Sequence, residues 1–525
     1  MLQLGYSYLT LPPIFYSHAQ PEAWNAPELI RLNHALCNDL SLDPQEVSDY
    51  FLKPELRGRM AQTFAQAYAG NQFGHFTRLG DGRALVIGEY TAPDGRMVDL
   101  QLKGSGRTAY SRGGDGRATL RAMLREYIMS EAMHHLGIPT SRSLAVIRTG
   151  NQVQRDGLQE GAVLLRVMNS HIRVGTFELA AHLGTESDVR ALTDYSIGRL
   201  YPVMARRERS VLARGEHPVL AREERSDLAR GERSVLALIQ RVMGRQIELV
   251  AHWMRVGFIH GVMNTDNMAI SGETFDYGPC AFLNAYHPEA CFSSIDRQGR
   301  YAFGRQPIMA QWNLARWVDT LLPLLDKDSK SALNQAQKSI DAYSDAWNEA
   351  YNGMMCRKIG LNPGNVGGEG LYRDLLEWMG RHGVDYTQTF VALTYRLPGA
   401  VDGEDRTADD EQHIAFPVFP DFQVSLEAGA RDELAVWLNR WLRVVDAAGG
   451  RETAFRLMRA SNPVVIPRNH TVEAVLDEAE AGRYDPLNRL LRALTEPYSL
   501  RAEHREWMSP PTPDYDLTYR TYCGT

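Results

Sequence analysis

The chain has 525 residues, 44% of them apolar and 9% aromatic, with a formal net charge of −7 and a pI of about 6.1. That length exceeds one ordinary domain, and the apolar share is enough for a sizeable core. The charge gives no general basic footprint for nucleic acid, the N-terminus has no basic region leading into an apolar core, and no stretch approaches the roughly 18 apolar residues of a membrane helix. The expectation is therefore a cytoplasmic protein with neither nucleic acid nor membrane as partner. Five cysteines, none in a CxxC pair, argue against a zinc site. Cys523, third from the end, lies where burial is least expected.

Residues 1–75 read as an N-terminal extension, with helices expected over 27–38 and 56–69. Over 75–91 two extended runs flank Gly80, Asp81 and Gly82, which reads as a hairpin with a glycine turn that phosphates can approach. A second turn, Pro93-Asp94-Gly95, leads to a strand over 98–104, where Val98, Leu100 and Leu102 alternate with Asp99, Gln101 and Lys103. A kinase-like fold carries its phosphate-binding lysine on such a third strand. The loop that follows holds Arg107, Arg112, Asp115, Gly116 and Arg117, a mixture suited to phosphate at a helix N-terminus. The helix is expected to start near Asp115, to bury Leu120, Met123, Leu124, Tyr127, Ile128 and Ala132, and to stop at Gly137 and Pro139. Glu126 borders that stripe, placed to pair with Lys103. A buried strand and a helix follow over 161–182; Arg166 and Arg173 there need carboxylate or phosphate partners.

Residues 210–241 repeat with a period of eight (SVLARGEH, PVLAREER, SDLARGER, SVLALIQR), which matches no common solenoid. They read as a mostly helical, charged surface insertion without a catalytic role. A helix over 237–261 then feeds HGVMNTDNMAISGETFDYGP (260–279), read as a polar loop, a short strand pair and a second polar turn. It brings Asp266, Asn267 and Asp276 to one edge, an oxygen set suited to a hard cation that shares phosphate ligands. Protein kinases build their metal site from a loop Asn and the Asp of a D-F-G turn, here Asn267 and Asp276-Tyr277-Gly278. Setting His260 and Asn267 on the ends of H-R-D-x-x-x-x-N puts Val262 at the base, which leaves Asp266 as the carboxylate able to accept a proton. Residues 280–307, with Cys291, stand in place of an activation loop. Helices are expected over 308–396 and 421–500, with an acidic linker at 398–420 between them and a proline-rich tail from 501. The fold class is α+β, divided into the 1–75 extension, a β-rich lobe at 76–165, a helical lobe at 166–397 with an insertion at 206–236, the linker, and a C-terminal region at 421–525.

Together LGDGR (79–83), QLKGSGRTAYSRGGDGRATLR (101–121), REY (125–127), SEAMHHLGIPT (130–140), LLRV (164–167), HIRVGTFE (171–178), HGVMNTDNM (260–268), FDYGP (275–279) and DRQGRYAF (296–303) resemble the selenoprotein O (SelO) family of pseudokinase protein adenylyltransferases. The resemblance runs over most of the chain. It implies a two-lobed kinase-like fold with the nucleotide inverted, and transfer of AMP from ATP to Ser, Thr or Tyr hydroxyls of protein substrates with loss of pyrophosphate; some bacterial members are credited with UMP transfer from UTP. By family position Gly80, Gly82, Arg83, Lys103, Asp115, Gly116, Arg166, Arg173 and Asp276 would contact ATP. Glu126 would hold Lys103, Asn267 and Asp276 would bind Mg²⁺ or Mn²⁺, and Asp266 would be the proton acceptor. The family's terminal selenocysteine or cysteine corresponds to Cys523, with Cys291 as the implied disulfide partner. The chain departs from the family at Asn71, where many relatives carry His, at Arg305, where Asn is commoner, and in the eight-residue repeat. Two other functions use the same residues: an ordinary phosphotransferase, which Val262 argues against, and a nucleotide-binding scaffold, which would need no base.

Overall fold

Nine strands of the N-terminal part pair antiparallel into one sheet in a computed structural model that describes residues 3–53, 62–202, 223–397, 426–512 and 514–522. They are β1 (Tyr16–His18), β2 (Glu28–Leu32), β3 (Phe64–Gln72), β4 (His75–Gly80), β5 (Ala84–Thr91), β6 (Met97–Lys103), β7 (Ala118–Thr119), β8 (Arg142–Arg155) and β9 (Gly157–Met168). The sheet order is β1-β3-β5-β6-β9-β8-β2, with β4 attached to β3 and β7 to β9. Alternation on β6 sorts its side chains as the sequence predicts. Val98, Leu100 and Leu102 pack with Leu36, Val47 and Phe51 from α1 (His34–Leu40) and α2 (Pro44–Leu52). The polar side, Asp99, Gln101 and Lys103, is buried too: Lys103 lines the candidate site, Asp99 is bonded to His171 and Arg199, and Gln101 to Asp81 and Arg166.

The opposite face of the sheet carries α3 (Leu120–His135), whose predicted stripe is buried in the main core together with Val146 and Leu164. From there the core runs on without a break into α4 (Val174–Leu183), α5 (Glu186–Leu200), α6 (Glu223–Val256) and the helices Gln306–Leu325, Ser329–Lys358, Gly368–His382 and Tyr386–Arg396. Further helices, among them Asn469–Glu480, follow residue 427. This last helix clamps α3: Arg121 reaches Asp477 at 2.7 Å and Glu480 at 2.8 Å, and Arg125 reaches Glu473 at 2.8 Å. The position of Glu126 on α3 therefore depends on residues almost 350 positions away. No helix among the described residues is long and apolar enough to cross a membrane.

Several local expectations are corrected. Residues 28–32 form a strand paired with β8, and the helix starts only at His34, where Asn33 caps it by accepting from Leu36 N–H at 3.0 Å. Residues 64–69 are strand, not helix; the alanines there are good helix formers, but close packing on α4 overrides a propensity worth only tenths of a kcal/mol per residue. Residues 54–61 lie outside the described residues. β4 and β5 do not form a hairpin with each other: β4 folds back on β3 through Phe73 and Gly74, and β5 pairs with β6. The helix after the Gly/Arg loop starts at Leu120 behind Thr119, not at Asp115. The run 268–270 bonds to 172–174 rather than to residues near Phe275, and the short strand pair is instead Phe258–Ile259 with Ala281–Phe282, flanking the loop. The repeat is only partly described. Its last copy is core rather than surface, because Val235, Leu238 and Ile239 are buried. The 398–420 linker lies outside the described residues.

Candidate active site

A cleft of about 340 Å³ opens between the sheet and the 260–279 segment. The structure brings to it every residue that family position assigns to nucleotide, metal or base: Gly80, Gly82, Arg83, Lys103, Asp115, Gly116, Arg166, Arg173, Asp266, Asn267 and Asp276 all line the wall, with Glu126 directly behind Lys103, whereas Arg107 of the Gly/Arg loop is not part of the lining. Seven basic side chains against four acidic ones make the lining suited to a polyanion.

Glu126 is the buried hub. One carboxylate oxygen accepts from Lys103 Nζ at 2.7 Å, and the other accepts from Arg166, at 2.8 Å from Nε. Burial disfavours its charge, but Arg166 and Lys103 overcome that and hold its carboxyl below the usual range. Lys103 also donates to Asp276, and Arg166 lies 3.9 Å from the same oxygen. Burial opposes ionisation of Asp276 as well; the Lys103, Arg166 and Arg83 charges win and keep it ionised well below the ordinary carboxylate range. Its backbone sits at φ 65°, a left-handed conformation uncommon for a non-glycine residue and typical of functional turns.

Asp266 is held differently. It belongs to a single 3-10 turn, Thr265–Asn267, and is buried. Burial pushes its pKa up to about 6 against the pull of Arg173. Among the described residues its Oδ1 has no hydrogen-bond partner. Asp266 is a buried carboxylate in the cleft wall with a raised pKa, a group able to take a proton from something that enters, while its Oδ1 lies on the Gly70 side. Its turn is fixed by a buried network that the sequence reading missed: Asn71 N–H donates to Thr265 Oγ1 at 2.7 Å, Thr265 Oγ1 donates to Glu178 at 2.5 Å, and Asn71 Nδ2 donates to Glu178. His260 adds a link at 3.1 Å from Nε2 to the carbonyl of Phe275, beside Asp276.

Asn267 donates through Nδ2 to the carbonyl of Val262 at 3.0 Å, which leaves its amide oxygen as the atom offered to the cleft. With the Asp276 carboxylate this is a two-oxygen protein contribution of hard ligands, a set that fits Mg²⁺ or Mn²⁺ sharing phosphate oxygens and water. No group of three or more His, Cys, Asp or Glu side chains gathers for a metal among the described residues.

The remaining predicted residues occupy the cleft in supporting positions. Arg173 stacks over the Tyr68 ring at 4.0 Å and donates to the carbonyl of Asp266 at 3.2 Å. Asp115 binds Arg155 at 2.9 Å and the Arg117 N–H at 3.0 Å, shaping the Gly/Arg loop from within. Arg117 is in turn held by Glu22 at 2.8 Å. Asp81, buried beneath the Gly80–Gly82 turn, accepts from Gln101 at 3.0 Å. A buried acid between two glycines was the available signal for Asp81; nothing local marks Glu22. Cys291 has its sulfur 3.5 Å from Asp296, and Cys523 lies outside the described residues.

The profile of the family described as "Protein adenylyltransferase SelO" matches residues 2–495. The chain is 45% identical to a protein named protein nucleotidyltransferase YdiU from Halalkalibacterium halodurans, over 99% of this chain and 96% of that one. It is 44% identical to the protein of the same name from Geobacillus kaustophilus, over 99% and 98% of the two chains. For that of Clostridium perfringens strain SM101 the figures are 43%, 99% and 97%.

Proposed function

The chain belongs to the SelO family of protein adenylyltransferases and is a nucleotidyltransferase, and on that premise we propose that it transfers AMP from ATP to Ser, Thr or Tyr hydroxyls of protein substrates, releasing pyrophosphate. UTP serves as an alternative donor of UMP. The observation that carries this reading is the buried Asp266 carboxylate, its pKa raised by burial, in the wall of a cleft otherwise lined for a polyanion.

The substrate hydroxyl gives its proton to Asp266 as its oxygen bonds to the α-phosphorus; the bond from that phosphorus to the bridging oxygen breaks, and pyrophosphate carries the electron pair away. Lys103, oriented by Glu126, together with Arg83 and Arg166, spreads the charge that builds on the phosphates. Arg173 holds the Asp266 turn through its carbonyl while its charge favours the ionised acid. Asn267 and Asp276 would hold Mg²⁺ or Mn²⁺, which when bound supplies charge neutralisation at the phosphate oxygens. An ordinary kinase would use the same Lys103, Glu126 and Asp276, but its base position is Val262, buried and apolar. Mass spectrometry of proteins modified in the presence of ATP, reductant and Mg²⁺ tests the proposal: an adenylyl adduct on a hydroxyl side chain supports it, and a phosphoryl adduct there refutes it.

We extend the proposal to redox control. The tail runs beside the Cys291 segment: Thr521 N–H donates to the carbonyl of Phe292 at 2.8 Å, and Ser294 N–H to the carbonyl of Thr521 at 2.9 Å. A Cys291–Cys523 disulfide would fix that strap, two thiols losing two electrons and two protons to an oxidant such as glutathione disulfide. Burial pushes the Cys291 thiol up to about 11, so little of it is thiolate at neutral pH.

A further inference from the structure

The β3–β4 hairpin turns through Phe73 and Gly74, at φ 51° and 91°. Two-residue turns of this kind favour Asn or Asp before glycine, and a bulky residue is strained in the left-handed region. The surroundings hold Phe73 there. Its N–H donates to Asn264 Oδ1 at 3.2 Å, an oxygen that also accepts from the Tyr301 hydroxyl at 2.5 Å, and its ring centroid lies 5.3 Å from that of Tyr301. Despite these contacts Phe73 is 37% exposed and lines the same cleft as Asp266. Ile295, 45% exposed, lines the cleft from the 291–303 segment. A strained turn that keeps a large apolar ring at the mouth of a polar cleft, with an exposed isoleucine on a second wall, is an arrangement that folding alone does not call for.

We infer that Phe73 and Ile295 form an apolar subsite that receives a hydrophobic side chain next to the hydroxyl being modified in the protein substrate. The inference rests on the reading of Asp266 as the acceptor of that hydroxyl's proton. The hairpin and the base are one unit: Asn71 N–H is bonded to Thr265, Phe73 N–H to Asn264, and a Cβ at residue 70 would run into the Asp266 carboxylate. The phosphates are accounted for by Lys103, Arg83 and Arg166, so the edge beside residues 264–266 is left for the chain that presents the hydroxyl. An apolar neighbour in that chain covers the Phe73 ring and Ile295; a charged one loses its hydration against them. Apolar pockets discriminate by about 10- to 200-fold, and a shallow two-residue subsite belongs at the low end, about tenfold.

The test uses the full-length protein, reductant, Mg²⁺, α-labelled ATP, and peptides with a single hydroxyl residue that differ only in whether Leu, Asn or Glu flanks it. The expected result is a kcat/KM about tenfold higher for the Leu-flanked peptide, falling to within about threefold of the others in Phe73→Ser and in Ile295→Ser. Equal labelling of all peptides by the wild type, or a ratio unchanged in both variants, overturns the subsite while nucleotidyl transfer stands. A drop in ATP affinity for Phe73→Ser with the ratio unchanged assigns the ring to the nucleotide and equally overturns it. No label in any peptide removes the subsite; α-label entering lysate proteins then shows that the transfer reading survives, and its absence there brings down both. Should Phe73→Ser fail to fold, Ile295→Ser, which leaves the hairpin untouched, decides.

Discussion

The carboxylate of Asp266 occupies the space where a side chain at residue 70 would stand. A Cβ on Gly70 would lie 2.9 Å from Asp266 Cγ and closer still to Oδ1. Gly70→Ala therefore displaces the carboxylate without touching Lys103 or Asp276. Loss of a positioned base costs about 10²- to 10⁴-fold, and a displaced one is expected to cost about 10²-fold in kcat. Nucleotide binding, measured by calorimetry, should stay within about threefold, because the phosphate-binding groups are elsewhere. An unchanged kcat would mean that Asp266 does not act from this position.

Glu126 neutralises two buried cations at once. Glu126→Ala leaves Lys103 and Arg166 with Asp276 as their shared counter-charge, one carboxylate for two buried cations. Breaking a buried ionic cluster from one side costs about 3–5 kcal/mol, so the denaturant midpoint should fall by an amount far larger than an exposed pair would give. Glu126→Gln keeps the shape and loses the charge; its stability should lie between wild type and alanine, while its transfer activity falls with Lys103 no longer oriented.

The chemistry of the site was more legible in the sequence than its framing. That Lys103, Asp266, Asn267 and Asp276 meet at one cleft, with Glu126 paired to Lys103, could be expected because each residue type sits at the spacing of a kinase-like site. The framing residues Glu22, Asn71 and Glu178 reach the site from distant parts of the chain, and no local spacing shows that Asn71 and Glu178 hold Thr265 or that Glu22 holds Arg117. The same holds for strand pairing: β4 turns back at Phe73-Gly74, while the more conspicuous Gly80-Asp81-Gly82 was read as the hairpin turn. Phe73 is not a residue that turn statistics would place at positive φ. Its tertiary contacts with Asn264 and Tyr301 decide the matter.

Glu273 supplies a pH-dependence outside the catalytic set. Burial pushes its pKa from the ordinary 4.5 to about 7, against the hydrogen bond it accepts from Asn169 N–H at 3.3 Å, and among the described residues its Oε2 has no partner. Between pH 4.5 and 7 the folded protein thus keeps a proton that the unfolded chain has released, so stability falls as pH rises through that window. The displacement corresponds to about 3 kcal/mol. Glu273→Gln removes this loss. It should match wild type near pH 4 and be the more stable protein at pH 8 in chelator-containing buffer, followed by thermal unfolding. Equal pH slopes for the two proteins would contradict the assignment.

Redox control predicts a mobility difference. Oxidised wild type should run faster on a non-reducing gel than Cys291→Ala or Cys523→Ala, since a bridge between these residues closes a loop of more than 200 residues, and reductant should abolish the difference. Identical mobility of the three oxidised proteins would remove the disulfide.

The central claim is that the α-phosphorus, not the γ-phosphorus, is attacked by a hydroxyl whose proton goes to Asp266. The most direct measurement supplies α-labelled and γ-labelled ATP side by side to the full-length protein with protein substrates, reductant and Mg²⁺ or Mn²⁺, using Asp276→Ala as the blank. Label retained on protein from the α position alone, and lost in Asp276→Ala, is the predicted result; label retained from the γ position would contradict the account and make the protein a kinase with a displaced base.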